Sequence, residues 1–301
     1  MRTRALLPLV VLLGATPSAQ VFRGGTDVVV LNVTVTDAEA RFISGLDRAD
    51  FRVFEDGVPQ EITTFVKDRQ PVALSILLDT STSMDRKLPI AQEAAGGFVK
   101  RLGPKDVAQV ITFDTRPDVV QDFTADRALL DKAIHRTQVG GSTALYNALY
   151  VALSNLKQIN GDSPDRFRRQ AIVVLTDGED TSSVIDYDSV LDAARRSEVG
   201  VYAIALRSKN DTPVHGFNEA DYVLRALSQE TGGRLYHVED VSQLPSIYQQ
   251  VADELASQYF LGYVSKNAKR DGNWRRVMVR VERPNVVTRT KSGYYAPKSP
   301  Q

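Results

Sequence analysis

The 301-residue chain contains no cysteine, which removes a disulfide framework, a thiolate metal site, a cysteine nucleophile and a lipid-modified cysteine together. An excess of charge of either sign is also missing: 37 Lys and Arg balance 37 Asp and Glu. No global field draws the chain to nucleic acid or to an anionic membrane, so electrostatic recognition has to be local. The three histidines, His135, His215 and His237, stand in unrelated segments, a poor basis for a zinc site. There is no Gly-x-Ser-x-Gly elbow and no Gly-x-x-x-x-Gly-Lys-Ser/Thr loop. Serine-hydrolase chemistry on an α/β sheet and P-loop nucleotide hydrolysis therefore lack their defining parts. Long hydrophobic runs are scarce. The apolar stretch 5–13 is about half of the roughly 20 residues that a membrane-spanning helix needs.

That short run has a context of its own. Met1-Arg2-Thr3-Arg4 precedes it and the small residues 14–19 follow it, the order of a secretory signal peptide. Residues 1–19 are expected to be a leader, and the mature chain to be secreted, periplasmic or part of the cell envelope, with no transmembrane segment. Absence of cysteine agrees with export of a large domain, whose core removes the need for covalent staples. At 43% hydrophobic and 25% charged, the composition is that of a globular protein with a real core.

Three zones differ in hydrophobic period. Residues 20–69 hold short β-branched and aromatic runs at 27–36, 51–54 and 61–66, divided by polar residues and by the Asp56-Gly57 turn signal; they read as a small antiparallel sheet. Residues 70–257 change to apolar strands alternating with amphipathic helices. Strands are expected at 72–78, 107–113, 118–123, 171–175, 201–206 and 234–238. Helices are expected at 87–102, 126–135, 144–158, 187–198, 219–231 and 241–257. Near-continuous apolar strands between helices imply a mostly parallel sheet covered on both faces, a doubly wound α/β domain. Residues 258–301 return to strands at 258–264, 274–281 and 288–295. Since two or three strands alone are marginal in water, the end zones are expected to pair into one β-sandwich from which the α/β domain emerges.

The run Leu77-Leu78-Asp79-Thr80-Ser81-Thr82-Ser83-Met84 stands where the first α/β strand ends. Ligands of open α/β sheets bind beyond the carboxyl ends of strands, so one carboxylate and two hydroxyls arrive at the binding edge together. Spacing by two in an extended turn lets Asp79, Ser81 and Ser83 face one point. A second loop offers Gly140-Gly141-Ser142-Thr143 before a helix, and a third offers Thr176-Asp177-Gly178 after a strand. The plainer alternative is that the serines cap the following helix and that Asp177 opens an ordinary turn. Capping does not account for three loops on one edge.

Asp-x-Ser-x-Ser, then a Thr, then an Asp in Thr-Asp-Gly resembles the metal-ion-dependent adhesion site of von Willebrand factor type A (VWA) domains. The match runs from about Val72 to Ser257, and the flanking strands are similar to a secreted bacterial VWFA-related family. The resemblance implies a Rossmann-like fold. It also implies that Ser81, Ser83 and Thr143 give oxygens to a divalent cation, Mg²⁺ or alternatively Mn²⁺ or Ca²⁺, while Asp79 and Asp177 bind it directly or through water. A carboxylate on a partner protein would take the open position. Where the familiar motif has Gly, this chain has Thr82, which is not a ligand but bears on the loop conformation. The expected function is a metal-dependent binding module with no catalytic residues. A metal-dependent hydrolase, with Glu179 as the best available base, and a structural component of the cell envelope are the alternatives.

Weaker candidates surround the site. Asp85, Glu179 and Asp180 could tune the cation, but read more simply as loop and first-turn acids. Asn210, Asp211 and His215 in the loop 207–218 could set specificity or be loop polarity alone. Residues 166–169, Arg-Phe-Arg-Arg, read as a solvated basic loop.

Overall fold

Alternation in the first described strand sets up a sandwich. In β1 (Val28–Asp37) the side chains of Val29, Leu31, Val33 and Val35 are buried, one face of a period-two element. Three further strands complete the N-terminal zone: β2 (Phe51–Glu55), β3 (Val58–Gln60) and β4 (Ile62–Val66). The computed structural model describes residues 27–159, 168–206 and 219–298. The expected leader, the Arg-Phe pair of the basic loop and Asn210, Asp211 and His215 lie outside the described residues.

The middle zone runs β5 (Val72–Asp79), α1 (Leu88–Val99), β6 (Val107–Phe113), β7 (Pro117–Thr124), α2 (Arg127–His135) and α3 (Leu145–Ile159). It continues through β8 (Arg169–Thr176), α4 (Tyr187–Arg195), β9 (Val199–Leu206), α5 (Glu219–Thr231), β10 (Arg234–Val238) and α6 (Leu244–Ser257). The C-terminal zone adds β11 (Tyr259–Val264), β12 (Trp274–Val281), β13 (Val286–Arg289) and β14 (Gly293–Tyr295).

The six middle strands form one sheet in the order β10-β9-β8-β5-β6-β7, parallel except for the antiparallel edge strand β7. All eight residues of β5 are buried, as a central strand covered on both faces requires. Leu74, Ile76 and Leu78 pack towards α1, α2 and α6, whereas Ala73 and Leu77 pack towards α3, α4 and α5. The chain goes from β5 to β6 on one side and later returns to β8 on the other. Strand order thus reverses between β5 and β8, and the crevice beyond their carboxyl ends is the topological switch point where α/β folds hold ligands.

The end strands separate into two antiparallel sheets, β13-β1-β11-β4 and β14-β12-β2-β3, around a core of their own that includes Leu31, Val33, Phe51, Val53, Leu261 and Tyr263. This corrects the reading of residues 20–69 as one small sheet: β1 and β4 lie in the first sheet, β2 and β3 in the second. The reason is partnering, since β1 finds β11 (Val28↔Val264 to Val33↔Tyr259) and β2 finds β12 (Val53↔Val279), pairings that a local reading of each strand cannot assign. The α/β zone leaves after β4 and returns into β11, and those two strands are paired neighbours (Phe260↔Val66). Several boundaries also differ: the helices expected at 87–102 and 187–198 end at Val99 and Arg195, and β8 takes in Arg169, which is buried rather than part of a solvated loop. The stretch 241–257 begins as a 3-10 turn before α6, and 288–295 divides into the end of β13 and β14.

The two cores meet over a buried polar cluster. Glu254 of α6 is 0% exposed and accepts from Thr34 Oγ1 of β1 at 3.0 Å, from Tyr202 OH of β9 at 2.8 Å and from the Arg289 guanidinium of β13. One carboxylate therefore touches both parts of the fold.

Candidate metal centre

Asp79 ends β5 and is 0% exposed. A buried carboxylate needs donors, and it has two: Ser81 N–H donates to Oδ1 at 2.8 Å and Thr176 Oγ1 donates to Oδ2 at 2.6 Å. Burial pushes the Asp79 carboxyl above the ordinary carboxylate range and the neighbouring Asp177 charge adds to this, while the bonds from Ser81 and Thr176 oppose it. Thr176 closes β8, so the first and third loops are tied at the base of the crevice.

Beyond Asp79 the chain makes a 3-10 turn, Thr82–Met84. The extended turn expected from the Asp-x-Ser-x-Ser spacing is therefore corrected. The tight turn still brings the hydroxyls together, with Ser81 Oγ and Ser83 Oγ 3.1 Å apart. Ser83 Oγ in turn donates to Asp177 Oδ1 at 2.6 Å. The capping alternative does not hold, because Ser81 makes no side-chain cap bond and the residue capping α1 is Lys87, also without one.

The second loop is bonded to the first. Gly140 N–H donates to the Thr80 carbonyl at 2.8 Å, and Thr82 donates to the Gly141 carbonyl through both N–H (3.2 Å) and Oγ1 (2.9 Å). Gly141 has φ +72°, and a β-carbon there would lie 2.4 Å from Thr115 Oγ1, so only glycine fits. Thr143 is buried and sits between loops two and three. Its N–H donates to Thr181 Oγ1 at 3.0 Å, and its carbonyl accepts from Thr181 N–H at 2.8 Å. A β-carbon at Gly178 would stand 3.6 Å from Thr143 Oγ1, so the backbone after Asp177 runs directly beside that hydroxyl.

The five residues singled out from sequence thus lie on three hydrogen-bonded loops at the switch point. Ser81, Ser83 and Asp177 form a chain of contacts, Asp79 joins through Ser81 N–H and Thr176, and Thr143 adjoins Gly178. Sequence reasoning missed two participants. Thr176 stands inside the Thr-Asp-Gly signal, yet nothing in that signal marks it as the donor to Asp79. Lys87 stands in the turn between the 3-10 segment and α1, and its Nζ donates to Asp177 Oδ2 at 2.5 Å. Asp180 serves the architecture, accepting from Tyr146 N–H in the first turn of α3 at 3.1 Å and from Ser183 Oγ at 2.6 Å. Asp85 and Glu179 are exposed.

The donor set suits a hard divalent cation. Six oxygens about 2.0–2.1 Å from Mg²⁺ at octahedral vertices put neighbouring oxygens about 3 Å apart. The Ser81–Ser83 and Ser83–Asp177 oxygen separations, 3.1 and 2.6 Å, are of that size. Among the described residues no three His, Asp or Glu side chains gather as a metal cluster, so a centre in this crevice draws on neutral hydroxyls. Fewer anionic ligands leave the ion electropositive and able to attract an anion.

Thr82 occupies the position where the resembled motif has Gly, and its two bonds to Gly141 give it a physical role. Thr82→Gly is expected to cost about 1 kcal/mol in urea unfolding, the net worth of one hydrogen bond plus added chain freedom. A variant as stable as the parent would show that this side chain does not fix the loops.

The von Willebrand factor type A domain family model matches residues 74–250. An uncharacterized protein of Borreliella burgdorferi is 28% identical over 188 residues, covering 55% of this chain and 53% of that protein. Inter-alpha-trypsin inhibitor heavy chain H1 of Sus scrofa is 27% identical over 216 residues, covering 68% of this chain and 23% of its own length. The chain thus spans about half, or less, of the length of these relatives. Among solved structures, a von Willebrand factor type A protein from Catenulispora acidiphila superposes with a TM-score of 0.54 at 13% identity, covering 92% of this chain and 76% of its own. The likeness extends beyond the α/β domain to the flanking sheets.

Proposed function

Since the matched region is more than half of its length, this chain belongs to the von Willebrand factor type A domain family, and from that premise we propose a metal-dependent protein-binding module. Ser81, Ser83 and Thr143 would hold a divalent cation with Asp79 and Asp177. The cation, when bound, supplies a Lewis-acidic position at the rim of the sheet that a carboxylate of a partner protein can occupy. Mg²⁺ is the first choice because the donors are all oxygen and because it commonly binds through one or two carboxylates, leaving positions to water or ligand.

The observation that carries this reading is the Ser81–Ser83–Asp177 chain of oxygens, with separations of 3.1 and 2.6 Å, at the switch point of the sheet. The chain's own residues prepare the site. Thr176 and Ser81 N–H orient the Asp79 carboxylate, the Thr82 link holds loop two against loop one, and Asp180 anchors the turn after loop three to α3. Export to the envelope or medium is part of the same proposal and rests on the order of basic, apolar and small residues in 1–19.

Thr143→Ala removes one neutral oxygen while leaving the backbone bonds of Thr143 in place. It is expected to weaken Mg²⁺ binding by tenfold or more, on the order of what disturbing a metal's supporting shell costs, with little change in stability without metal. Calorimetry of Mg²⁺ binding checks it, and unchanged affinity would remove Thr143 from the donor set. For the function itself, immobilised protein should capture a partner from an envelope extract in Mg²⁺ and release it to a chelator, and the Asp79→Asn protein should capture none. Equal capture by both proteins, with or without chelator, would refute metal-dependent recognition.

A further inference from the structure

Lys87 connects the start of α1 to the third loop in a way that the binding function does not require. Its backbone is fixed on both sides, since Lys87 N–H donates to the Met84 carbonyl at 2.8 Å and Ala91 N–H donates to the Lys87 carbonyl at 3.0 Å. From there the side chain reaches across the crevice, and Nζ lies 2.5 Å from Asp177 Oδ2. The Asp177 side chain is 1% exposed and that of Lys87 is 27% exposed. The ion pair is therefore largely withdrawn from water, where charges act on each other far more strongly than at a surface. Both oxygens of Asp177 are engaged, Oδ1 by Ser83 and Oδ2 by Lys87.

We propose that Lys87 is a tethered counter-ion that competes with the divalent cation for Asp177 and thereby sets the affinity of the site. The inference rests on the metal-binding reading above and adds a regulatory property to it. Asp79, bonded to Thr176, and Asp177, the residue after Thr176, are two buried carboxylates of one crevice, and like charges withdrawn from water repel each other. The ammonium of Lys87 neutralises part of that repulsion from within the chain. A divalent ion entering beside Asp177 meets this positive charge and has to push it aside or bind against its field. The stem of lysine is long and flexible and the side chain is partly exposed, so a path outward to water exists. The outcome is a site that is stable without metal and that loads with reduced affinity, so that capture of a partner follows the ambient concentration of divalent ion.

The test compares Mg²⁺ and Mn²⁺ affinities by calorimetry, and melting temperatures with and without metal, for the full chain and for Lys87→Met, Lys87→Gln and Lys87→Arg. The neutral variants should melt lower than the parent without metal. They should bind Mg²⁺ about tenfold more tightly and gain a larger rise in melting temperature from it, whereas Lys87→Arg should stay near the parent in both. Neutral variants whose affinity is equal to or weaker than the parent's would overturn the counter-ion role while leaving the metal site intact. A parent chain that binds neither ion would overturn the metal-binding reading itself, and this inference with it. Should Lys87→Met fail to fold, Lys87→Gln keeps a donor at the position and carries the same comparison.

Discussion

Asp79→Ala is expected to eliminate calorimetric Mg²⁺ binding and to erase the rise in melting temperature that the metal produces. Three effects of one substitution add in the same direction. It deletes a carboxylate charge 0% exposed to solvent, in surroundings where little else can neutralise a divalent ion. It releases Thr176 Oγ1 and Ser81 N–H, the two donors that tie the third loop and the first to this position. It also leaves the buried Ser81 N–H without its partner, at about 1–3 kcal/mol, and Thr176 Oγ1 with only its 3.4 Å contact to the Gly178 carbonyl. The loss of binding should therefore come with loss of stability, and Asp79→Asn separates the two. An amide retains an acceptor for these donors but carries no charge, so Asp79→Asn should fold better than Asp79→Ala and still show no metal-linked stabilisation. A full-strength Mg²⁺ isotherm from the asparagine variant would exclude Asp79 from the centre.

Glu254→Ala is expected to destabilise the chain by about 2–3 kcal/mol, below the full range for removing one partner from a buried ion pair because the Arg289 side chain is 29% exposed. Glu254 accepts from Thr34, Tyr202 and Arg289. Two of those, Thr34 and Arg289, belong to the sandwich strands β1 and β13, while Tyr202 lies on β9 of the central sheet. Truncation removes the partner of the Arg289 charge and leaves Gln258, whose Nε2 donates to both Thr34 Oγ1 and Tyr202 OH, as the remaining polar bridge of the cluster, so the α/β domain and the sandwich should lose part of their mutual support. Urea unfolding followed by circular dichroism measures the cost, and Glu254→Gln should recover part of it because its amide oxygen can still accept from Thr34 and Tyr202. A change below about 1 kcal/mol in the alanine variant would show that the cluster does not join the two parts.

Legibility of the fold follows the range of the interactions that make it. Helices and parallel strands announce themselves through local period: α5 and β10 are legible to the residue, and β5 stands out as an apolar run because a central strand is buried on both faces. Partner choice between remote strands is a property of the assembled fold. Nothing within 20–69 says that β1 and β2 belong to different sheets, since the deciding partners, β11 and β12, lie about two hundred residues downstream. The same distinction runs through the site. Asp79, Ser81, Ser83 and Asp177 are visible because oxygen side chains recur at the carboxyl ends of strands, and Thr143 because it closes a Gly-Gly-Ser-Thr loop that opens a helix. The Ser81–Ser83 turn reads as extended from sequence, because alternating residue types look like a strand when the chain is in fact turning into a helix. Lys87 escapes notice for a related reason. A lysine at the start of a helix is ordinary in sequence, and only the assembled fold brings it beside a carboxylate ninety residues away.

Crystals grown with Mn²⁺ offer the most direct measurement, because its anomalous scattering distinguishes the ion from water and from the lighter atoms of the protein. Placement of a cation among the three loops requires one strong anomalous peak about 2 Å from Ser81 Oγ and Ser83 Oγ, with Thr143 and the two aspartates completing its surroundings. A peak elsewhere on the surface, or no peak in this crevice at saturating Mn²⁺, would contradict it.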